Sequence, residues 1–305
     1  MTDQKPRRSE IASLMQRVSR FGDVLTVEDA DEPILAPAVR AAIYEWLVEI
    51  YASEQLGAVG CQPRRSALLY GPPGTGKTTL AHHLAARLGV PLIAVRSDML
   101  VDKYVGSTGQ NIGQLFSILG DVEDRAVVLL DEIDSIGSKR GSDDSSAGKE
   151  RNQFLTVLLT RIEAFKGYMI AATNRKDTLD SALWRRFGMQ IEVALPAYEE
   201  RYAILARYLA PFTLPEESLA VIADLADGAS PSLLRQMMEG LKRSVVLAPR
   251  LKRDISDPLQ TMERVIASIA PPPEFDPPPP LWASPATRRD LKGIAWPPVM
   301  GSEKP

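Results

Sequence analysis

Short apolar runs of strand length recur through the first two thirds of the chain and alternate with segments of helical periodicity. A helix is predicted over about residues 36–54, where Ile43, Leu47, Ile50 and Tyr51 share one face. The predicted strands lie at 66–70, 91–95, 126–130, 168–172 and 190–195. Alternation of this kind favours an α/β fold, in which a parallel sheet is covered by helices on both faces.

The pattern changes after Pro196, because only helical signals follow as far as about residue 269. From Pro271 onward, repeated prolines disfavour regular helix or sheet and favour extended chain. Trp282 and Trp296 lie among these prolines and suit docking into a groove on a partner or neighbouring subunit. A disordered terminus is the alternative. The predicted organisation is an N-terminal arm (1–24), an α/β core (25–196), a helical lid domain (197–270) and a proline-rich tail (271–305).

Charge and composition exclude several classes of protein. Lys and Arg number 36 and Asp and Glu 39, for a net charge of −3, which gives no electrostatic reason to expect nucleic-acid binding. The single cysteine, Cys61, cannot form an internal disulfide, so a reducing compartment is expected. No apolar run approaches the ~20 residues that a membrane span needs. We therefore expect a cytoplasmic protein that does not bind membranes.

The segment GPPGTGKTT matches the phosphate-binding pattern G-x-x-x-x-G-K-[ST] at every position. An apolar strand precedes it and a helical pattern follows it, as the motif requires, whereas a simple connecting turn would need neither. In such loops, backbone N–H groups converge on the phosphates, the lysine contacts the β- and γ-phosphates, and the hydroxyl ligates Mg²⁺. The predicted nucleotide-binding residues are Gly71, Pro72, Pro73, Gly74, Thr75, Gly76, Lys77, Thr78 and Thr79.

Two later strands end in polar side chains that suit ATP hydrolysis. AVVLLDEID ends in Asp131, which is placed to hold Mg²⁺ through water, and Glu132, which is placed to polarise the attacking water as general base. YMIAATN ends in Asn174, whose amide can hydrogen-bond the γ-phosphate or that water. Either strand end alone is compatible with solvated polar groups. Their order after the phosphate-binding loop predicts an ATPase site in which Thr78 and Asp131 are the Mg²⁺ ligands.

These three segments, in this order, resemble the AAA family of ring ATPases over about residues 25–250. They are similar to that family's Walker A, Walker B and sensor 1 motifs. The resemblance implies a P-loop NTPase sheet followed by a small all-α lid domain, ATP and Mg²⁺ as cofactors, hydrolysis to ADP and phosphate, and a homo-hexamer. It also implies that Arg185 and Arg186 are arginine fingers that reach a neighbouring subunit's γ-phosphate. Two solvated arginines are the alternative, and their adjacency resembles the katanin, spastin and fidgetin group.

The stretch SDMLVDKYVGSTGQ resembles the first pore loop of the same family. Its signature residues are Lys103, Tyr104, Val105 and Gly106. The resemblance implies that Tyr104 projects into a central channel and grips an extended polypeptide through apolar bulk. Packing of Tyr104 on the protein's own core is the alternative. The family usually has acidic residues at two positions after the loop, where this chain has Ser107 and Gly109. Whether the contacts that those acids make between loops occur here is left open. Arg235 is a candidate sensor-2 arginine.

The predicted function is a Mg-ATP-dependent ring ATPase that remodels, unfolds or disassembles protein substrates by threading them through a central pore. One alternative is a nucleic-acid-associated ATPase of the clamp-loader or transposition type, which would not need an aromatic residue at position 104. Another is a regulatory ATPase that signals through nucleotide-dependent assembly with an effector such as a protease. The arm is too short for a folded substrate receptor, so a separate adaptor or effector protein is an expected partner.

Overall fold

A computed structural model describes residues 8–100, 107–137 and 146–301 of the chain. The chain separates into two units. The α/β unit comprises the residues up to 33 together with 37–71 and 77–193. The helical unit comprises 34–36, 72–76 and the residues from 194 onward.

The α/β unit contains six strands and eight helices among its described residues. The helices are α1 (Arg8–Val18), α2 (Pro37–Tyr51), α3 (Ser53–Ala58), α4 (Lys77–Arg87), α5 (Ser107–Gly120), α6 (Asp134–Gly137), α7 (Ser146–Ala164) and α8 (Ser181–Trp184). The strands are β1 (Gly22–Leu25), β2 (Ser66–Tyr70), β3 (Leu92–Arg96), β4 (Val127–Asp131), β5 (Tyr168–Thr173) and β6 (Met189–Glu192). They form one sheet in the order β1-β3-β4-β5-β2-β6.

Every neighbouring pair of strands in this sheet is parallel except β1 and β3, which are antiparallel. The predicted α/β class is confirmed, and all five predicted strands are present within about three residues of their expected ends. Strand β1 was not predicted. It has only four residues, which is too short for its alternating pattern to stand out from the polar sequence around it.

Both faces of the sheet are buried at its four central strands, which explains why β2, β3, β4 and β5 are nearly continuous apolar runs. Val128 and Leu130 of β4 belong to a core cluster shared with residues of α1, α5 and α7. Val127 and Leu129 are equally buried and point to the opposite face, because side chains alternate along a strand. Helix α4 contacts β3, β4 and β5. The residues that follow β2 and β4 are thus held by a sheet packed between layers of helices.

The N-terminal arm is part of the α/β core. Its helix α1 has Leu14 and Val18 buried and Met15 exposed. The guanidinium of Arg20 donates to the side-chain oxygen of Asn111 at 3.0 Å. The Asn111 amide in turn donates to the Leu100 carbonyl at 3.4 Å. The arm is thereby linked to the residues on both sides of 101–106, which lie outside the described part of the chain.

The helical unit contains α9 (Tyr198–Leu209), α10 (Glu216–Leu225), α11 (Pro231–Leu251), α12 (Pro258–Ile266) and α13 (Pro280–Ala283), with β7 (Phe212–Thr213) and β8 (Val299–Met300). Strands β7 and β8 pair antiparallel. Helix α11 begins at the N-cap Ser230, whose side chain accepts from the backbone N–H of Leu233, and Pro231 occupies its first turn. A core of aliphatic side chains from these helices holds the unit together.

The proline-rich tail packs against the helices of its own chain. Leu281 and Leu291 are fully buried in the helical core. The indole N–H of Trp282 donates to the Ile269 carbonyl at 2.8 Å, and that of Trp296 to the Ile255 carbonyl at 2.6 Å. The expectation of purely extended chain is wrong here, because prolines fit the first turn of a short helix such as α13, and β8 adds a strand. Both tryptophans pack against the helical unit of their own chain.

Candidate nucleotide-binding site

The three motifs predicted from the sequence follow strands that end at the same edge of the sheet. Strand β5 lies between β4 and β2, and all three are parallel. Tyr70 is opposite Thr173, and Leu130 is opposite Ala171. The loop after β2, the carboxylates after β4 and Asn174 after β5 therefore lie along one edge. Binding sites of parallel α/β sheets occupy this carboxyl edge.

Glycines of the phosphate-binding loop are required by close backbone approaches. Gly71 has φ of 150°, and a Cβ there would lie 2.1 Å from the carbonyl oxygen of Val193. Gly74 has φ of 74°, and its carbonyl accepts from the N–H of Ser232 at 3.1 Å. A Cβ on Gly74 would lie 2.2 Å from the Ser232 hydroxyl. A side chain at either position would displace the loop.

Lys77 begins α4 and is 7% exposed. Its ammonium donates to the Gly71 carbonyl at 2.9 Å, so it is directed back toward the loop. Burial lowers the pKa of Lys77 to about 8, although the nearby carboxylates of Asp131 and Asp134 act in the opposite direction. A buried cation with little hydration gains strongly from a phosphate group, which is the role predicted for this lysine.

Thr78 and Asp131 come from elements that are far apart in sequence and are in direct contact. The Thr78 hydroxyl donates to the Asp131 Oδ2 at 2.7 Å. A hydroxyl and a carboxylate are hard oxygen ligands of the kind that Mg²⁺ prefers. This pair therefore fits the metal predicted for the site.

Glu132 follows Asp131 with a positive φ of 50°, which is uncommon for a residue other than glycine. Its backbone N–H donates to the Asp131 Oδ1 at 3.0 Å. The side chain of Glu132 is exposed. The turn therefore separates the two neighbouring carboxylates, with Asp131 directed at Thr78 and Glu132 open to solvent. Unusual backbone conformations of this kind concentrate at functional sites.

Thr173 is a site residue that the sequence did not indicate. Its hydroxyl donates to the Asp134 Oδ1 at 2.6 Å and accepts from the Arg175 backbone N–H at 3.0 Å. These bonds fix the turn at Asn174, which is exposed, and connect it to the start of α6. No sequence signal marks Thr173, because a threonine at the end of a strand is ordinary.

Arg185 and Arg186 differ in their surroundings. The Arg185 Nε donates to the Ser181 carbonyl at 3.1 Å, whereas the Arg186 Nε forms an ion pair with the Glu163 Oε1 at 2.6 Å. Both arginines and Glu163 line a cavity of about 390 Å³ that also includes Arg65. The sequence did not single out Glu163, since it lies on α7 with no motif around it.

Two other predicted features are the pore loop and the sensor-2 arginine. The residues Lys103, Tyr104, Val105 and Gly106 lie outside the described residues. Arg235 pairs with Glu239 at 2.8 Å and lies over the ring of Tyr208 within the helical unit. The sensor-2 role of Arg235 stays a prediction.

These features define an ATPase of the P-loop class. The sheet is mostly parallel, a glycine-rich loop follows β2, Lys77 is buried, and Thr78 is paired with Asp131. Residues 67–195 match the family model described as "ATPase family associated with various cellular activities (AAA)". This part of the chain is an AAA ATPase domain.

Named relatives are similar over half to two thirds of this chain. An ATP-dependent zinc metalloprotease FtsH of Lachnoclostridium phytofermentans is 45% identical over 51% of this chain and 28% of its own. The probable 26S proteasome regulatory subunit 10B of Caenorhabditis elegans is 39% identical over 59% of this chain and 46% of its own. A proteasome-activating nucleotidase of Methanopyrus kandleri is 35% identical over 68% of this chain and 49% of its own.

This chain spans less than half the length of each of these three relatives. None of them establishes the grouping with katanin, spastin and fidgetin, which stays a prediction. Among the described residues, no helix combines the length and the apolar character needed to cross a membrane.

Proposed function

We propose that this chain hydrolyses Mg-ATP as a ring-forming ATPase and uses the energy to unfold or remodel proteins by threading them through a central pore. The observation that carries the proposal is the pairing of Thr78 with Asp131 beside the buried, inward-directed Lys77. That arrangement joins the phosphate-binding loop to the first carboxylate of β4, as nucleotide hydrolysis requires.

Each residue of the site has a role that follows from its chemistry. Lys77 binds the β- and γ-phosphates, and Thr78 and Asp131 would hold Mg²⁺, which neutralises phosphate charge when bound. Glu132 accepts a proton from the attacking water as general base, and its exposed carboxylate is free to do so from the solvent side. Asn174 orients that water or the γ-phosphate through its amide.

The arginines supply the part of the site that comes from a neighbouring copy. We assign the finger role to Arg185, whose guanidinium is anchored, among the described residues, by a backbone carbonyl through Nε. Arg186 is held by Glu163 in its own chain, so it fixes the position of the segment that carries Arg185. A planar guanidinium matches the charge that develops on the transferred phosphoryl group. This assignment requires a closed assembly, for which a homo-hexamer is our proposal.

The names of the relatives favour a protein as the substrate. Two are a proteasome regulatory subunit and a proteasome-activating nucleotidase, and a third is an ATP-dependent protease. Tyr104, in the stretch similar to a pore loop, is the residue proposed to grip the polypeptide. The same names favour a second candidate, in which this chain regulates a separate effector such as a protease through its nucleotide state.

Replacement of Tyr104 by Ala tests the threading proposal. We expect ATP hydrolysis within about twofold of wild type, because Tyr104 contributes no group to phosphoryl transfer, and loss of ATP-dependent unfolding of a fluorescent protein that carries an unstructured tag. Tyr104→Phe is the matched control and should retain unfolding, since apolar bulk is what grips the chain.

Glu132→Gln should keep ATP binding and reduce turnover by about 10²-fold or more, since removal of a general base costs on that order. If the Tyr104→Ala protein unfolded the tagged fluorescent protein at the wild-type rate, the threading proposal would be contradicted. Turnover by Glu132→Gln at the wild-type rate would contradict the assignment of the base.

A further inference from the structure

Three arginine side chains, those of Arg65, Arg185 and Arg186, line the cavity of about 390 Å³ in the α/β unit. Glu163 is the acidic residue among the described residues of its lining, so positive charge exceeds negative charge there. Guanidinium groups that share a cavity repel one another unless an anion lies between them. The cavity therefore suits an anionic group.

The cavity lies at the amino edge of the sheet, away from the phosphate-binding loop of the same chain. Arg65 directly precedes β2, whereas the loop begins directly after β2 at Gly71. At about 3.3 Å per residue of strand, the Cα atoms of these two residues are about 20 Å apart. This is much farther than an arginine side chain reaches, so Arg65 cannot contact the nucleotide of its own chain. An anion in this cavity has to come from another molecule.

Arg65 is exposed and keeps an uncompensated charge. One of its terminal amino groups donates to the Lys166 carbonyl, and its guanidinium carbon lies 6.0 Å from the centre of the Tyr168 ring. A guanidinium has five N–H donors, so further donors are open. Within the described ranges no carboxylate pairs with Arg65, whereas Arg186 is paired with Glu163.

Ser66 holds Arg65 close to the segment that carries the proposed arginine finger. The Ser66 hydroxyl donates to the Arg186 carbonyl at 3.4 Å and accepts from the Gly188 backbone N–H at 3.1 Å. Arg185 lies directly before this attachment. Two guanidinium groups, one from each segment, thus line the same cavity, which suits an anion with several oxygen atoms.

We propose that Arg65 is a further catalytic residue, which acts beside Arg185 on the phosphates of the nucleotide bound by a neighbouring copy. The inference rests on the proposed function, because it needs a site that two copies share. Arg65 donates hydrogen bonds to the oxygens that gain negative charge as water attacks the γ-phosphate and the bond to the β-phosphate oxygen breaks. It exchanges no proton, since a guanidinium stays protonated.

The cavity favours a phosphate chain over a carboxylate. One guanidinium satisfies a carboxylate by two parallel hydrogen bonds, which would leave the second without an anion. A phosphate chain presents oxygens in several directions and carries enough charge for both Arg65 and Arg185. A carboxylate of the neighbouring protein would make Arg65 a residue of assembly and not of catalysis, and the experiment below distinguishes the two.

Replacement of Arg65 by Ala tests the proposal. At saturating ATP we expect hydrolysis about 10- to 100-fold slower than wild type, which is the range for loss of a hydrogen bond to a charged group. Arg65→Lys keeps the charge and should recover part of this loss. Lys166→Ala is the matched control, because it removes an exposed cation and keeps the backbone carbonyl that contacts Arg65. It should hydrolyse ATP as wild type does.

Two binding measurements separate catalysis from assembly and folding. A fluorescent ATP analogue should bind Arg65→Ala with the wild-type affinity, because the variant keeps its own phosphate-binding loop. Sedimentation velocity with a non-hydrolysable ATP analogue should show the same self-association for Arg65→Ala and wild type. The expected defect is therefore in the rate of hydrolysis alone.

Mixing of variants shows which copy's nucleotide Arg65 serves. Lys77→Ala disables the phosphate-binding loop of its own chain and keeps both Arg65 and Arg185. An equal mixture of Arg65→Ala and Lys77→Ala should recover up to about a quarter of the wild-type rate, because half the copies keep an intact loop and half of those have a neighbour with Arg65. A mixture of Arg65→Ala and Arg185→Ala should stay near the mean of the two separate rates, because both lack a group on the same side.

The opposite pattern would overturn the proposal, since recovery with Arg185→Ala but not with Lys77→Ala would place Arg65 at the nucleotide of its own chain. Wild-type hydrolysis by Arg65→Ala would also overturn it. Weaker self-association that accounts for slow hydrolysis would do the same and assign Arg65 to a carboxylate of the neighbour. If Arg185→Ala alone is inactive, the proposed function stands without Arg65. A wild-type chain that hydrolyses no ATP contradicts the proposed function and this inference together.

Discussion

Lys77 carries a positive charge into the interior of the α/β unit beside the predicted phosphate-binding loop. Burial favours its neutral form and lowers its pKa to about 8. At neutral pH the side chain is still mostly protonated, so it is ready to bind an anion. In the proposed site, the desolvation of Lys77 would strengthen the binding of a phosphate group, since the nucleotide would restore the interactions that water provided.

The pH dependence of nucleotide binding follows from this pKa. Above about pH 8 the free protein loses the Lys77 proton, and binding must restore it, so affinity falls by up to about tenfold per pH unit. Stability of the nucleotide-free protein changes in the opposite sense. The native lysine is deprotonated above about pH 8 while the unfolded one keeps its proton to about 10.4, so this contribution to stability rises with pH across that window.

Titration calorimetry in two buffers of different ionisation enthalpy measures the predicted proton uptake. At about pH 8.5 we expect a substantial fraction of one proton to be taken up per nucleotide bound, and at about pH 6.5 none by this lysine. Lys176→Gln, which removes an exposed lysine after β5, is the control and should leave the uptake unchanged. Absence of uptake at pH 8.5 would show that Lys77 keeps its proton in the free protein.

At the scale of the elements, the tail shows how proline-rich sequence becomes part of a core. Its two tryptophans are half-buried against the helical unit, and each indole N–H reaches a backbone carbonyl. Strand β8 pairs with β7, and the Ser218 hydroxyl donates to the Ala295 carbonyl at 3.1 Å. The tail therefore covers apolar surface that α9–α12 alone would expose to water.

Replacement of Trp282 by Ala should destabilise the helical unit by about 2–4 kcal/mol, because it removes a large packed ring and leaves the Ile269 carbonyl without its donor. Urea unfolding followed by circular dichroism measures the change. Val299→Ala, at an exposed position of β8, is the control and should change the free energy of unfolding by less than about 0.5 kcal/mol. Equal stability of Trp282→Ala and wild type would mean that the tail contributes nothing to the unit.

At the scale of the whole molecule, the proposed site is incomplete in one copy. In the proposed site, Lys77, Thr78, Asp131 and Glu132 act on the nucleotide bound by their own chain, whereas Arg185 is assigned to the nucleotide of a neighbour. A single chain with an intact phosphate-binding loop would then bind ATP and hydrolyse it very slowly. Arginine fingers supplied in trans contribute about 10³–10⁵ in rate in other phosphoryl-transfer enzymes.

Mixing of two inactive variants tests this division of labour. Lys77→Ala removes the phosphate contact and Arg185→Ala removes the finger, so each alone should hydrolyse ATP at less than about 1% of the wild-type rate. An equal mixture should recover up to about a quarter of that rate, because half the copies keep an intact site and half of those have a neighbour with Arg185. Steady-state phosphate release measures it, and no recovery would place Arg185 outside the neighbour's site.

The sequence by itself determined the class of fold, the phosphate-binding loop and the family, because periodicity and the loop motif depend on residues that are close along the chain. Only the tertiary structure decided the contact of Thr78 with Asp131, the left-handed turn at Glu132, the pairing of Arg186 with Glu163 and the packing of Trp282. Each of these joins distant segments or depends on a local environment. The pKa of Lys77 also depends on the tertiary structure, since burial is a property of the folded chain that cannot be read from the order of its residues.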